Sequence, residues 1–350
     1  MVEKIVKGRG VGFNPANRFE PISFEPDPEW NPEEDPSPKT RFYRDQTRDV
    51  LSKNDSPDIG FTYGLNPYRG CEHGCVYCYA RPTHEYLGLS AGLDFETKIF
   101  VKEDAPSLLR ERLASPRWVP QTVVMSGVTD CYQTAEKRFA LTRGCLEVFA
   151  EFLNPVAIIT KNRLVTRDID VLKKLARADA AAVILSVTSL EDKVRRVMEP
   201  RTSAPKERLA AIHALSEAGI PVGVNVAPVV PGLTDHELPR ILYEAAKAGA
   251  RFAGYVPLRL PFAVKNIFEE WLAQNFPDHQ KKVLNQIRAI RGGNLNDARF
   301  GSRMRGQGVF AKNLEEMFRI ACGKAGLQHG GPGLSARSFH RREEQLSLNL

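Results

Sequence analysis

Three cysteines within eight residues are the part of this sequence with the clearest chemical potential. The pattern C-x3-C-x2-C places the thiols of Cys71, Cys75 and Cys78 on one compact loop. In a chain of 350 residues with six cysteines, such a cluster indicates a metal site rather than a disulfide framework. A cubane iron–sulfur cluster has four irons, so three thiolates would leave one iron open to a small-molecule ligand.

Two other metal sites fit the same loop. A structural zinc ion could use His73 or His84 as its fourth ligand, although this spacing is not one of the common zinc patterns. An electron-transfer cluster could recruit a fourth cysteine from elsewhere in the chain, namely Cys131, Cys145 or Cys322.

The elements that must position this loop alternate from about residue 60 onward. β-Branched or apolar runs predict strands at 60–66, 122–126, 156–160, 183–188, 221–226 and 251–256. Helical patterns lie between them at 135–153, 168–178, 205–218 and 235–248. Six βα units in a row predict an α/β fold with a parallel sheet, either a full or partial barrel or an open doubly wound sheet.

The composition divides the chain into four segments. Residues 1–55 are expected to be loosely structured, because positions 21–38 carry six prolines and six acidic residues. Residues 56–260 form the barrel. Residues 261–328 form a helical, basic extension with helices at 262–276, 277–290 and 314–323, and 329–350 form a flexible, glycine-rich tail.

The bulk properties are those of a globular enzyme. Hydrophobic residues make up 42% of the chain and charged residues 26%. The N-terminus lacks the apolar core of a signal peptide, and the longest nearly unbroken apolar run, 180–187, is too short to span a bilayer. We therefore expect a cytoplasmic protein. The net charge of +7 suggests a polyanionic partner.

The cysteine loop, with an aromatic residue before its third cysteine, resembles the signature of the radical S-adenosylmethionine (SAM) superfamily. The runs NPYRGCEHGCVYCYA, SGVTDCYQTAEKRFALTR, EPRTSAPKERLAAIHAL and PVVPGLTD resemble its spore-photolyase-like branch, often labelled "DNA repair photolyase". The likeness covers roughly residues 60–260. It implies a partial (β/α)6 TIM-like barrel and a [4Fe–4S] cluster that reductively cleaves SAM to methionine and a 5′-deoxyadenosyl radical. A flavodoxin or ferredoxin is implied as the reductant.

Polar residues at the strand ends are the candidates for binding SAM, since parallel barrels carry their function there. Its amino group needs acceptors, which Thr129 and Asp130 could supply, and its carboxylate needs a cation such as Lys161. The further candidates are Ser126 after strand two, Ser186 and Asn225 for the ribose, and Arg201 from the resemblance. Ordinary barrel-rim roles are the alternative for each.

The resemblance also implies residues that transfer hydrogen. Tyr77 and Tyr79 match two tyrosines that flank the third cluster cysteine and are implicated in hydrogen transfer in spore photolyases. The hydrogen-donor cysteine of those enzymes is replaced here by Gly127. Cys131 could substitute for it, or could be a buried structural thiol.

Two features indicate DNA as the partner. Residues 281–310 contain seven Lys or Arg against one acid, which suits a phosphate backbone or a merely solvated face. The C-terminus, Gln345–Leu350, resembles the peptide by which bacterial repair proteins dock on the sliding clamp. We expect a radical enzyme acting on DNA. The alternatives are modification of RNA, a peptide or a metabolite, and a non-enzymatic iron–sulfur or zinc protein that binds nucleic acid.

Overall fold

The computed structural model describes residues 6–20 and 38–341, which fold into two β-sheets flanked by helices. The strands are β1 (Arg41–Arg44), β2 (Leu51–Lys53), β3 (Tyr63–Leu65), β4 (Tyr68–Arg69), β5 (Lys98–Val101), β6 (Val123–Met125), β7 (Val156–Thr160), β8 (Ala181–Ser186), β9 (Val222–Val229), β10 (Phe252–Pro257) and β11 (Gln328–His329). The 3₁₀ helices are Arg81–Leu87, Arg163–Asp168 and Asp235–Glu237.

The α-helices alternate with the strands through the middle of the chain and then follow one another. They are α1 (Leu93–Thr97), α2 (Ala105–Ala114), α3 (Glu136–Phe139), α4 (Leu141–Phe152), α5 (Ile169–Ala176), α6 (Asp192–Met198), α7 (Pro205–Glu217), α8 (Leu238–Lys247), α9 (Val264–Asn275), α10 (Pro277–Ile290), α11 (Ser302–Arg305) and α12 (Gly308–Ala325).

The main sheet has the order β11-β10-β9-β8-β7-β6-β3-β2, and only β2 runs antiparallel to its neighbour. Its six central parallel strands coincide with the six predicted ones. Within the described residues β2 and β11 are its edges, so the sheet does not close into a full barrel. The predicted α/β partial barrel with a helical extension is confirmed. Strands β1, β5 and β4 form a smaller sheet beside it.

The predicted helices are present, but the one at 135–153 is divided. The backbone turns at Ala140, where φ is 50°, between α3 and α4. The carboxylate of Glu136 accepts hydrogen bonds from the backbone N–H groups of Thr142 (2.9 Å) and Arg143 (3.3 Å). A buried side chain therefore satisfies the orphan donors of a new helix start, which the hydrophobic pattern does not reveal.

The N-terminal segment is more ordered than its composition predicted. Strand β2 pairs with β3, so the predicted boundary at residue 55 falls inside the main sheet. Val11 is buried in one core with Cys75 and Val76 of the cysteine loop, and the N–H of Gly10 donates to Glu96 of α1 at 3.0 Å. Most of the proline- and acid-rich stretch, residues 21–37, lies outside the described residues.

The C-terminal extension and the first part of the tail pack against the barrel. Helices α9 and α10 share a core with the cysteine loop and α6. The tail was predicted to be flexible, yet its backbone is held by Ser335 N to Asp179 O (2.9 Å) and His340 N to Phe152 O (3.0 Å). These contacts lie at the N-terminal ends of the strands. The predicted clamp peptide, Gln345–Leu350, lies outside the described residues.

Candidate active site

A cavity of about 310 Å³ opens at the C-terminal ends of the parallel strands. All three clustered cysteines line it. It is also lined by most of the predicted SAM-binding residues, namely Ser126, Thr129, Asp130, Lys161, Ser186 and Asn225. The fold thus brings together residues that are up to 154 positions apart in the chain, between Cys71 and Asn225.

The cysteine loop is held from several sides by the protein itself. The N–H of Cys71 donates to Phe95 O at 2.9 Å, and that of Val76 to Met198 O at 3.1 Å. Arg81 is completely buried, where it donates to Cys75 O at 2.9 Å and forms an ion pair of 2.5 Å with Glu96. Because these bonds use only protein atoms, the loop is preorganised for its ligand.

Gly74 illustrates how tightly the segment before the barrel covers this loop. Its φ of 66° lies in the left-handed region, and a Cβ there would come within 2.7 Å of the Glu96 carboxylate. A Cβ on Gly10 would come within 1.7 Å of Gly74 O. Only glycine permits this approach of two backbones.

The donor set fits an iron–sulfur cluster better than a single ion. The thiols of Cys71, Cys75 and Cys78 face one cavity, but in the part of the chain that the structure describes no three His, Cys, Asp or Glu side chains are close enough to hold one metal ion. Ligands of a cubane bind different irons and are spread around it. Burial raises the pKa of Cys71 and of Cys75, so binding a cluster would have to release protons.

Each candidate fourth ligand is either engaged by other side chains or lies outside the cavity. His73 lines the cavity, but its Nδ1 lies 3.4 Å from Asp130 and its Nε2 lies 3.3 Å from the Asn162 amide. His84 does not line the cavity; its Nε2 contacts Lys98 O at 2.9 Å, and its Nδ1 is buried without a partner among the described residues. The remaining cysteines, Cys131, Cys145 and Cys322, are buried in the main hydrophobic core and do not line the cavity. This arrangement disfavours both the zinc site and the four-cysteine cluster.

Asp130 joins two strand ends as well as facing the cavity. Its carboxylate accepts from Thr160 Oγ1 at 2.7 Å, from Lys161 N at 2.8 Å and from Tyr132 N at 2.9 Å. Burial alone would raise the pKa of Asp130, but His73 and these hydrogen bonds outweigh it and lower the pKa to about 2. Asp130 therefore positions the loop that carries Lys161 and remains ionised near neutral pH.

The lowered pKa of Asp130 gives a pH prediction. Its stabilising contribution should be complete above the ordinary aspartate pKa of about 4 and should be lost as pH falls toward about 2. Urea unfolding of the metal-free protein should show that Asp130→Asn is less stable than wild type at pH 6. The difference between the two should shrink between about pH 5 and pH 2. A constant difference over that range would contradict the assignment.

The other polar residues of the cavity fall into two groups. Ser126 and Thr129 are used locally, since Ser126 Oγ accepts from Cys131 N at 2.8 Å and Thr129 Oγ1 donates to Tyr68 O at 2.8 Å. Lys161, Ser186 and Asn225 also line the cavity, but no described residue forms a hydrogen bond or ion pair with their side chains. These three are available to a ligand.

The predicted hydrogen-transfer residues are only partly brought to the cavity. Tyr77 and Tyr79 line it, and the Tyr79 hydroxyl donates to Gly127 O at 2.6 Å. Cys131 lies beneath the cavity in the core, hydrogen-bonded to its surroundings, and burial raises its pKa. Arg201 also lies outside the cavity, where it donates to Gly8 O at 2.9 Å and pairs with Glu72.

Sequence reasoning missed two residues near the site. Glu199 is fully buried behind Tyr77, accepts its hydroxyl, and pairs with Arg208. Arg259 lines the cavity mouth two residues after β10. The position of Arg259 just after a strand could have predicted its role from the sequence. No sequence pattern around Glu199 indicates that it lies near the site.

A family profile described as the Radical SAM superfamily matches residues 65–244, which is 180 of the 350 residues. Together with the partial barrel and its cysteine-lined cavity, this match shows that the chain belongs to the radical SAM superfamily.

Proteins with similar sequences occur in several different organisms. An uncharacterized protein of Mycobacterium tuberculosis is 39% identical over 222 residues, which are 63% of this chain and 65% of that protein. An uncharacterized protein of Methanocaldococcus jannaschii is 28% identical over 227 residues, 65% of this chain and 81% of the relative. The radical SAM Nalpha-GlyT isomerase of Pseudomonas phage M6 is 25% identical over 213 residues, 60% of this chain and 42% of the phage protein. The chain thus matches just under two thirds of the length of its mycobacterial relatives.

The fold is also similar to solved structures of spore photoproduct lyase. Its complex with a dinucleoside spore photoproduct superposes with a TM-score of 0.60 at 18% identity, covering 82% of this chain and 81% of that one. A variant with bound AdoMet and the same dinucleoside gives a TM-score of 0.59 at 18% identity, covering 82% and 80% of the two chains. At this identity the similarity concerns the fold.

Proposed function

We propose that the protein reductively cleaves SAM at a [4Fe–4S] cluster bound by Cys71, Cys75 and Cys78, and uses the resulting radical on nucleic acid. The observation that carries the first part is the cavity itself. Three thiols share it with Lys161 and with polar groups that have no partner among the described residues, while the one histidine that lines it, His73, is engaged by Asp130 and Asn162.

Different residues of the cavity would bind different groups of SAM. Lys161 would bind the carboxylate of SAM through a charge-assisted hydrogen bond, and Ser186 and Asn225 would bind polar groups of its ribose. The ring centre of Tyr77 lies 5.8 Å from Lys161 Nζ, so its ring would form an apolar wall of the SAM site next to the carboxylate-binding lysine. The bound cluster would supply the electron that breaks the C–S bond of SAM, while the protein orients the reactants and excludes water.

The mouth of the cavity favours a nucleic-acid substrate. Phe61 and Tyr79 line it beside Arg259, and Phe300, 61% exposed, stacks on Arg303 nearby at 4.5 Å. Aromatic rings next to arginines suit stacked bases and the phosphates that join them. The similarity in fold to an enzyme solved with a dinucleoside agrees with this proposal.

The seven basic residues at 281–310 were expected to contact a phosphate backbone, but several of them already have partners within the protein. Arg291 is buried and donates to the backbone oxygens of Pro257 and Leu258 at 3.0 and 2.6 Å. Arg303 pairs with Asp58 at 2.5 Å, and Arg299 pairs with Asp297 at 3.0 Å. Lys281, Lys282 and Arg305 are exposed and could still follow a phosphate backbone.

The partners are proposals as well. A flavodoxin or ferredoxin would supply the electron. The chain leaves the described region at Arg341, whose guanidinium donates to Trp118 O at 2.7 Å at the end of the barrel opposite the cavity. A sliding clamp bound to Gln345–Leu350 would therefore be tethered from the face that does not carry the cavity mouth.

Anaerobic reconstitution with iron and sulfide tests the proposal. The holoenzyme should form 5′-deoxyadenosine from SAM and dithionite, and a single-stranded oligodeoxynucleotide should change the rate. Formation of 5′-deoxyadenosine that no oligonucleotide affects would retain the cofactor chemistry and favour a peptide or metabolite. Absence of 5′-deoxyadenosine from protein with a full iron content would contradict the cofactor chemistry.

A further inference from the structure

Arg259 is a charged residue that lines the cavity, and its guanidinium has no oxygen partner within residues 6–20 and 38–341. Among the described residues its single hydrogen-bond acceptor is the thioether sulfur of Met304, 3.2 Å from Nη1, and sulfur is a weak acceptor. Its Nε is buried and has no acceptor in the part of the chain that the structure describes. The ring centre of Tyr79 lies 5.7 Å from the guanidinium carbon.

Three other buried arginines, in contrast, have oxygen partners within the protein. Arg81 pairs with Glu96, Arg208 with Glu199, and Arg291 donates to backbone carbonyl oxygens. A cation removed from water without a partner costs free energy, which the fold avoids at those positions. Arg259 is therefore an exception that requires a reason.

The surroundings of Arg259 are arranged for an anion from outside the protein. Asp58, the neighbour of the cavity-lining Ile59, accepts from Arg303 Nε at 2.5 Å and from Gly301 N at 2.6 Å, and it forms no ion pair with Arg259. Burial, and secondly the charge of Arg303, lower the pKa of Arg259, whereas Tyr79 and Asp58 act in the opposite direction. An anion that accepts directly from the Arg259 guanidinium would supply the oxygen partner that Asp58, which is engaged by Arg303, does not provide.

We propose that Arg259 binds a phosphodiester group of a DNA strand whose adjacent base lies in the cavity. Phe61 and the half-exposed Tyr79 stand on the same mouth, and they supply rings for a base next to the charge that the phosphate requires. The inference rests on the proposed nucleic-acid function and narrows it, since it assigns one residue to one backbone linkage.

The test measures binding rather than turnover. Reconstituted full-length holoenzyme with SAM is titrated anaerobically into a fluorescent single-stranded DNA hexamer, and anisotropy gives Kd. The hexamer is then made with one uncharged methylphosphonate at each linkage in turn. In wild type, the methylphosphonate at one particular linkage should raise Kd about tenfold, because the charge-assisted hydrogen bond between that phosphate and Arg259 is lost.

The variant Arg259→Gln should weaken binding of the unmodified hexamer by about the same factor, and the methylphosphonate at that position should then have no further effect. It should also make the dependence of log Kd on log salt shallower by about 0.7, the value for one phosphate on a single strand. Arg251→Gln is the matched control, because Arg251 is an exposed arginine at the other end of the same strand, away from the cavity. It should bind every hexamer as wild type does.

The possible results separate this inference from the function on which it rests. Equal methylphosphonate effects in wild type and Arg259→Gln at every linkage would overturn the role of Arg259 and leave DNA binding intact. No detectable binding of any oligonucleotide by wild type would overturn the nucleic-acid function itself. Tighter binding of an RNA hexamer of the same sequence, with the same coupling to Arg259, would overturn DNA as the strand. Arg259→Lys keeps the positive charge and should remain sensitive to the methylphosphonate at that linkage, so a poorly folded Arg259→Gln would not prevent a decision.

Discussion

Replacing any one of Cys71, Cys75 or Cys78 with alanine should remove the iron–sulfur cluster and reduce 5′-deoxyadenosine formation to the background of the assay. Three thiolates are the minimum set for a cubane with one open iron, and two cannot hold it. The described structure offers no replacement, because His73 is committed to Asp130 and Asn162. Iron and sulfide content and the absorbance of the reconstituted variant measure the loss directly.

The matched controls are the other buried cysteines. Cys145 and Cys322 lie in the main core, so Cys145→Ala and Cys322→Ala should keep the cluster and the reaction. A cluster-free Cys322→Ala would show that a fourth cysteine takes part. Stoichiometric zinc in wild-type protein purified without oxygen would contradict the cluster altogether.

Replacing Glu199 with alanine should lower the free energy of unfolding by about 3–5 kcal/mol, the usual cost of leaving a buried charge without its partner. Arg208 is 1% exposed, and its guanidinium would lose its carboxylate. The hydroxyls of Tyr77 and Thr188 would lose the same acceptor. Urea unfolding of the metal-free protein measures the change.

Two comparisons show whether the charge of Glu199 is responsible. Glu199→Gln keeps an acceptor for Tyr77 and Thr188 but not the charge, so it should fall between wild type and Glu199→Ala. Glu316→Ala breaks the exposed Arg319–Glu316 pair on α12 and should leave the unfolding midpoint where it is. An unfolding midpoint for Glu199→Ala equal to that of wild type would contradict the prediction.

The two sets of variants report on different aspects of the site. The cysteine variants test what the cavity binds, whereas Glu199 tests what holds its wall in place behind Tyr77. Because Tyr77 also lies against Lys161, a loosened Glu199 network should weaken SAM binding as well as stability.

Several features of the protein were determined locally and could therefore be predicted from the sequence. The three thiols are neighbours in the chain, so their spacing alone defined a shared loop. The six parallel strands were found because buried strands are β-branched runs, and the helices before β9 and β10 end at Gly219 and Gly249, whose φ values are 76° and 103°. Lys161, Ser186 and Asn225 followed from the rule that strand ends meet at one face.

Whether a charged side chain is paired, and whether a side chain is buried, depended on residues far away in the chain. Arg303 belongs to a basic stretch by composition, but its carboxylate partner, Asp58, is 245 residues away. Cys131 is only one position from Asp130, yet its thiol points into the core while Asp130 faces the cavity. Arg259 looks in the sequence like any other arginine. Only the tertiary structure shows which cations already have partners, because pairing depends on which side chains folding brings within reach, and no local pattern contains that information.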